Sequence, residues 1–203
     1  MKRLFSLLCV AMMAAAVSAQ ITWNAKAGIG ISTLDGLSTD YSKKTHLVGK
    51  IGAGIEYPLG SNWSLMPSLE IAWKGMKIES DNSYRTMTST VDLLYAQIPV
   101  VAAYRINLSQ SWNLTLKAGP YFAYAFYDHL NNDYTSKTGN NIHYNSGNED
   151  LDAKKFDVGI DIGIDFEYHR FVFGVEGELG FLEMAKDTDA RNLAGYATVG
   201  WKF

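Results

Sequence analysis

Apolar and polar residues alternate along this chain with a period of two. In the stretch DVGIDIGIDFEY, Val158, Ile160, Ile162, Ile164, Phe166 and Tyr168 interleave with Asp157, Gly159, Asp161, Gly163, Asp165 and Glu167. Strict alternation marks a β-strand with two unlike faces. The same period predicts eight strands, at about 21–33, 46–57, 63–78, 91–106, 112–127, 154–168, 170–183 and 193–203. No segment carries the three- and four-residue spacing of a helix.

The connections alternate as well. PLGSN (58–62), NLSQS (107–111) and the turn at His169-Arg170 are tight, whereas those after the first, third, fifth and seventh strands are longer and polar. The longest, expected over 128–153, is rich in Asn, Asp, Gly, Ser and Thr. Short turns at one end and long loops at the other are the pattern of an outer-membrane barrel, periplasmic and extracellular respectively.

Parity separates the faces further. Leu65, Leu69, Ile71 and Trp73 oppose Ser68, Glu70 and Lys74 in the third strand. Phe171, Phe173, Val175, Leu179 and Phe181 oppose Gly174, Glu176, Glu178 and Gly180 in the seventh. One face holds large apolar residues; the other alternates charges with glycine. Eight strands enclose room for only a modest filling of side chains. The large face is therefore expected to meet lipid and the glycine-rich face to line the lumen. Closure would also satisfy every backbone hydrogen bond, which hydrocarbon demands. The expected fold is all-β, an eight-stranded antiparallel up-and-down transmembrane β-barrel.

Aromatic positions agree with that orientation. Trp23, Tyr57, Trp63, Tyr104, Trp112, Tyr168, Phe171, Trp201 and Phe203 gather at the short-turn end and all point outward by parity. Such a girdle is expected where amphipathic rings meet headgroups. Trp73, Phe126 and Phe181 are candidates for the opposite girdle.

The N-terminus changes the picture of where the chain works. Lys2 and Arg3 precede an apolar run, Leu4 to Val17, and Val17-Ser18-Ala19 supplies the small-residue cleavage pattern. Residues 1–19 are expected to be a cleaved signal peptide and 20–203 the barrel domain. Cys9, the one cysteine, would leave with the signal, so disulfides are not expected. The net charge of −3 becomes more negative without Lys2 and Arg3. Nucleic acid, which needs a basic face, is excluded as a partner.

Candidate chemistry lies inside. Parity places Lys26, Lys50, Lys74, Arg105, Lys117 and Lys202 in the lumen together with Glu56, Glu70, Asp157, Asp161, Asp165, Glu167, Glu176 and Glu178. The acids concentrate on the sixth and seventh strands and the bases mostly elsewhere, so a closed barrel sets them face to face. An isolated buried charge costs several kcal/mol, so a network of ion pairs plugging the lumen is expected. Asp161 and Asp165 should lie near lumen lysines or arginine. Residues four apart on a strand are about 13 Å apart, so no ion binds two of Asp157, Asp161 and Asp165. Ser32 and His46 fall near the long-loop rim and could be cross-strand neighbours, both pointing inward, yet no acid is placed to orient His46. The 128–153 connection holds His129, Asp133, His143, Glu149, Asp150 and Asp152, in a spacing that matches no ligand motif. No catalytic residue, metal or cofactor is expected.

Two segments carry a family resemblance. YAQIPVVAAY, Tyr95 to Tyr104, is similar to the Tyr…Ile-Pro…Tyr strand of PorT-like barrels. The terminal GYATVGWKF, closed by Phe203, resembles the C-terminal signal read by the barrel-assembly machinery. The chain as a whole resembles the small outer-membrane β-barrel families, OmpX-like and PorT-like proteins among them. The resemblance implies an integral outer-membrane location, lipid as surroundings, and the barrel-assembly machinery as a partner through the C-terminal strand. The expected function is that of a non-enzymatic, monomeric barrel with a plugged, charged lumen. It would present four extracellular loops for structural, adhesion or partner-binding roles, including an extracellular or secretion-complex protein. A small transport channel and a lipid-modifying enzyme remain as alternatives.

Overall fold

The computed structural model describes residues 21–35, 42–44, 46–81, 85–136, 141–143, 155–182 and 191–203. The predicted signal peptide lies outside these. Alternation resolves into ten strands: β1 (Thr22–Asp35), β2 (Ser42–Lys44), β3 (His46–Pro58), β4 (Trp63–Asp81), β5 (Arg85–Asn107), β6 (Trp112–Ser136), β7 (Asn141–His143), β8 (Phe156–Tyr168), β9 (Phe171–Gly180) and β10 (Arg191–Lys202). The eight long strands form a closed antiparallel ring in the order β1, β3, β4, β5, β6, β8, β9, β10. Pairing of β1 with β10, from Asn24↔Lys202 to Asp35↔Arg191, completes it. A closed ring leaves its long strands no free edge.

The faces are inverted relative to a water-soluble protein. Asp161 is 1% exposed while its neighbour Ile162 is 54% exposed. Outward-facing Ile29, Ile51, Leu69, Phe122, Phe173 and Val199 are exposed in the same way, on strands all round the ring.

Strands β4, β5 and β6 run further than alternation predicts. β5 begins at Arg85 instead of about 91, and β6 continues to Ser136. The two pair without interruption from Arg85↔Ser136 down to Leu94↔Tyr127. The connection expected as loop 128–153 thus begins as strand, and β7 pairs back onto β6 at Asp133↔His143. On the other side β2 pairs with β4 at Ser42↔Glu79 to Lys44↔Lys77, beyond the β3–β4 pair Gly49↔Trp73. The result is a five-stranded extension, β2–β4–β5–β6–β7, standing on one side of the ring. Its sequence is rich in Thr, Ser, Asn and Asp. Where no apolar face has to be buried, backbone pairing can continue without apolar alternation, which is why the pattern concealed it. Leu94 pairs with Tyr127 and Tyr95 with Ala125, so Phe126 is an extra residue in β6. This bulge leaves consecutive Phe126 and Tyr127 both exposed.

Candidate functional site

Ion pairs line the interior from the short-turn end upward. At that end Lys202 Nζ donates to Glu56 at 2.8 Å and to Glu167 at 2.7 Å, and Arg105 reaches the same two acids at 2.7 and 3.3 Å. Thr115 adds a 2.8 Å hydrogen bond to Glu167. Above this layer Lys26 lies 2.8 Å from Glu70 and 2.9 Å from Glu176, and Lys117 lies 2.7 Å from Asp165 and 2.6 Å from Glu176. Lys50 contacts Glu176 directly, Glu178 at 3.0 Å, Glu70 at 3.6 Å and Asp161 at 3.9 Å. Lys74 holds Glu178 at 2.7 Å. Among the described residues no base pairs with Asp157, which accepts from Tyr121 Oη and Asn192 Nδ2, both at 3.0 Å.

The inward glycines explain how such pairs meet. Gly52 pairs with Lys26 on one side and Glu70 on the other, and Gly163 likewise separates Lys117 from Glu176. A Cβ on Gly163 would stand 2.5 Å from Lys117 Cε, and one on Gly52 would stand 2.6 Å from Glu70 Cγ. The missing side chain opens a lane across the middle strand, so charges two strands apart touch. Charge–glycine alternation is therefore a packing requirement of the ion pairs.

Uncharged residues of the same parity complete the interior and escaped a reading based on charge. Gln97 donates to Glu178 at 2.9 Å. Lys74 Nζ lies 4.5 Å from the Tyr121 ring centroid, and Lys50 Nζ lies 4.5 Å from that of Tyr196. The inner face of β5 departs from the expected polar lining. Val91, Leu93 and Tyr95 join Ala72, Tyr121, Ala123 and Ala125 in a buried apolar cluster near the long-connection end. In β5 the apolar residues occupy both parities, so alternation could not assign them.

Ser32 and His46 are cross-strand partners in β1 and β3. Ser32 is buried, and its hydroxyl donates to the Gly75 carbonyl and accepts from the Gly75 N–H. His46 does not point simply inward. It is half-buried, with Nε2 2.8 Å from Asp92, which also accepts from Trp73 Nε1 at 3.1 Å. An acid thus does stand beside His46. It was not legible because it lies on β5 across Gly75, whose absent side chain leaves room for the imidazole. The serine hydroxyl and the imidazole are engaged with different partners.

The nine aromatics of the short-turn end sit on the outer surface. Seven are exposed; Tyr57 and Trp201 are half-buried. Ring centroids stand 5.0 Å apart for Trp63–Tyr104, 4.8 Å for Trp112–Tyr168 and 4.5 Å for Phe171–Trp201. Trp73, Phe126 and Phe181 are exposed toward the other end.

A family model described as outer membrane protein beta-barrel domain matches residues 15–185. That description is broader than the PorT-like barrels. Among solved structures the chain is similar to Ail, the attachment invasion locus protein of Yersinia pestis, at 12% identity and a TM-score of 0.44, over 90% of this chain and 98% of that one. Neisserial surface protein A is similar at 12% identity and 0.45, over 89% and 97%. The N-terminal barrel domain of Pseudomonas aeruginosa OprF is similar at 14% and 0.38, over 92% and 100%. No curated protein matches.

Proposed function

Because the chain belongs to the outer membrane protein beta-barrel domain family, we propose that it is a non-enzymatic scaffold displaying a polar sheet and loops at the cell surface to a partner protein. Its location is the outer membrane, and its apolar outer face meets lipid. We place the short turns in the periplasm and the extension outside. The observation that carries the reading is that extension. β4, β5 and β6 continue past the apolar wall, and β2 and β7 broaden them into a five-stranded platform. Paired backbone holds a surface more rigidly than a free loop, which lowers the ordering cost of binding.

The channel alternative requires an open bore. The ion pairs and the apolar cluster at Leu93 and Tyr95 both stand against it, so in this reading the lumen is plugged. Cells displaying the full chain, or a variant lacking 134–148, can be compared by cross-linking to neighbouring envelope and extracellular proteins. The expected outcome is adducts that disappear in the variant while heat-modifiable migration in SDS gels, the sign of an intact barrel, persists. Unchanged adducts in the variant would remove the largest connection, with β7, as the binding element.

A further inference from the structure

Of the four prolines in the chain, three stand inside adjacent wall strands: Pro67 in β4, Pro99 in β5 and Pro120 in β6. Pro99 belongs to the YAQIPVVAAY segment. A proline has no N–H to give to a ladder and is ordinarily confined to edges and bulges. Each of the three is paired with the strand that follows it, as Pro67↔Val100, Pro99↔Tyr121 and Pro120↔Ile160. Toward the preceding strand the register lapses every time. It skips Met66–Pro67 opposite Ile55–Glu56, Ile98–Pro99 opposite Ser68–Leu69, and Gly119–Pro120 opposite Val100–Val101. The alternation of antiparallel pairs explains the direction. A proline can sit only in a pair that does not exchange hydrogen bonds, so its donorless edge turns to the other neighbour. The carbonyls of Ile55, Ser68 and Val100 therefore face prolines that have no N–H to offer.

The three lapses adjoin. Residues 66–69 of β4 and 98–101 of β5 are paired on one side alone, so one oblique line of weak pairing crosses the wall from β3 to β6. Its lower end stops beside the girdle pair Tyr57↔Leu65. The other ladders of the ring, from β6 through β8, β9, β10 and β1 to β3, run without a gap. Directly behind the line lies a cavity of about 40 Å³, walled on this side by Met66, Pro67, Ser68, Pro99 and Val101. We propose that the line is a lateral gate: β4, β5 and β6 part along it and join the cavity to the membrane. Backbone groups left unsatisfied in hydrocarbon make this the least stable part of the wall, and local opening takes the route that breaks fewest bonds. The interior is then reached through the wall, with no axial bore. This device is independent of display at the cell surface.

Hydrogen exchange of the full barrel in lipid nanodiscs, followed amide by amide, tests the gate. Unpaired amides exchange quickly in a static defect too, so the informative residues are Gln97 and Ala102, which bound the line and are paired on both sides. They should exchange at least about tenfold faster than Ile162 and Ile164, in the uninterrupted ladders of β8. Pro99→Ala and Pro120→Ala supply the missing donors and should slow Gln97 and Ala102 toward the β8 rate. Exchange at Gln97 and Ala102 as slow as at Ile162 and Ile164 would overturn the proposal, by showing a defect that stays shut. Exchange that remains fast in both proline variants would overturn it as well, because the opening would not depend on the lapses. The first comparison uses the unaltered chain and decides the question even where a variant fails to fold.

Discussion

Lys50 is the residue on which the interior converges. It is 3% exposed and lies within 4 Å of four carboxylates, Glu176, Glu178, Glu70 and Asp161. Removing one partner of a buried ionic cluster leaves the others uncompensated and costs about 3–5 kcal/mol. Lys50→Met keeps most of the volume and removes the charge, so it should lower the temperature of heat-modified migration by roughly 10 °C or more. Arg105→Gln should cost clearly less, because the Arg105 side chain is 34% exposed and water takes over part of its role. If the two variants melted alike, the centre would not be more demanding than the rim. Parity alone put Lys50, Asp161 and Glu178 on one face of the sheet. It could not say which of them meet, because that depends on the stagger between strands, which no single strand encodes. Asp92 beside His46 was hidden for the same reason: the two are two strands apart and meet only across Gly75.

Each strand shows why glycine on one face is not glycine on the other. Inward Gly163 is flanked by Lys117 and Glu176, whereas a Cβ on outward Gly177 would meet nothing nearer than 3.6 Å, at Ile162. Gly163→Val should add about 1–3 kcal/mol of overpacking to the loss of the Lys117–Glu176 contact. Gly177→Val should change stability by no more than about 0.5 kcal/mol. Melting the two side by side checks the assignment of inside and outside, and a Gly177 variant as damaging as the Gly163 variant would reverse it. At this scale the sequence was legible wherever one face met hydrocarbon, since the solvent on each side differs and alternation records the difference. It was illegible above the wall. Residues 85–90 and 128–136 pair as strands with no alternating pattern to announce them, and the bulge at Phe126 exchanges the parity just where the change occurs.

For the molecule as a whole, the plugged lumen proposed above carries a functional prediction. In planar bilayers the reconstituted barrel should show no steady conductance, and a reproducible open level would favour transport over display. The ring itself was readable from eight alternating segments and sorted connections, because closure is the one way such segments satisfy their backbone in lipid. Which charges meet inside the ring was not readable, because that depends on the stagger between strands. The seam between β1 and β10 adds a matter of timing. Asn24 finds its partner in Lys202, and the Phe203 N–H donates to the Trp23 carbonyl at 2.9 Å. The first wall strand therefore stays half-paired until the last has been made and delivered. Contacts so remote in sequence form slowly, and an unpaired strand is an invitation to aggregate. The ring can therefore close only once the whole set of wall strands is present. A ribosome stalled anywhere before β10 would release a polypeptide with no partial barrel to fall back on.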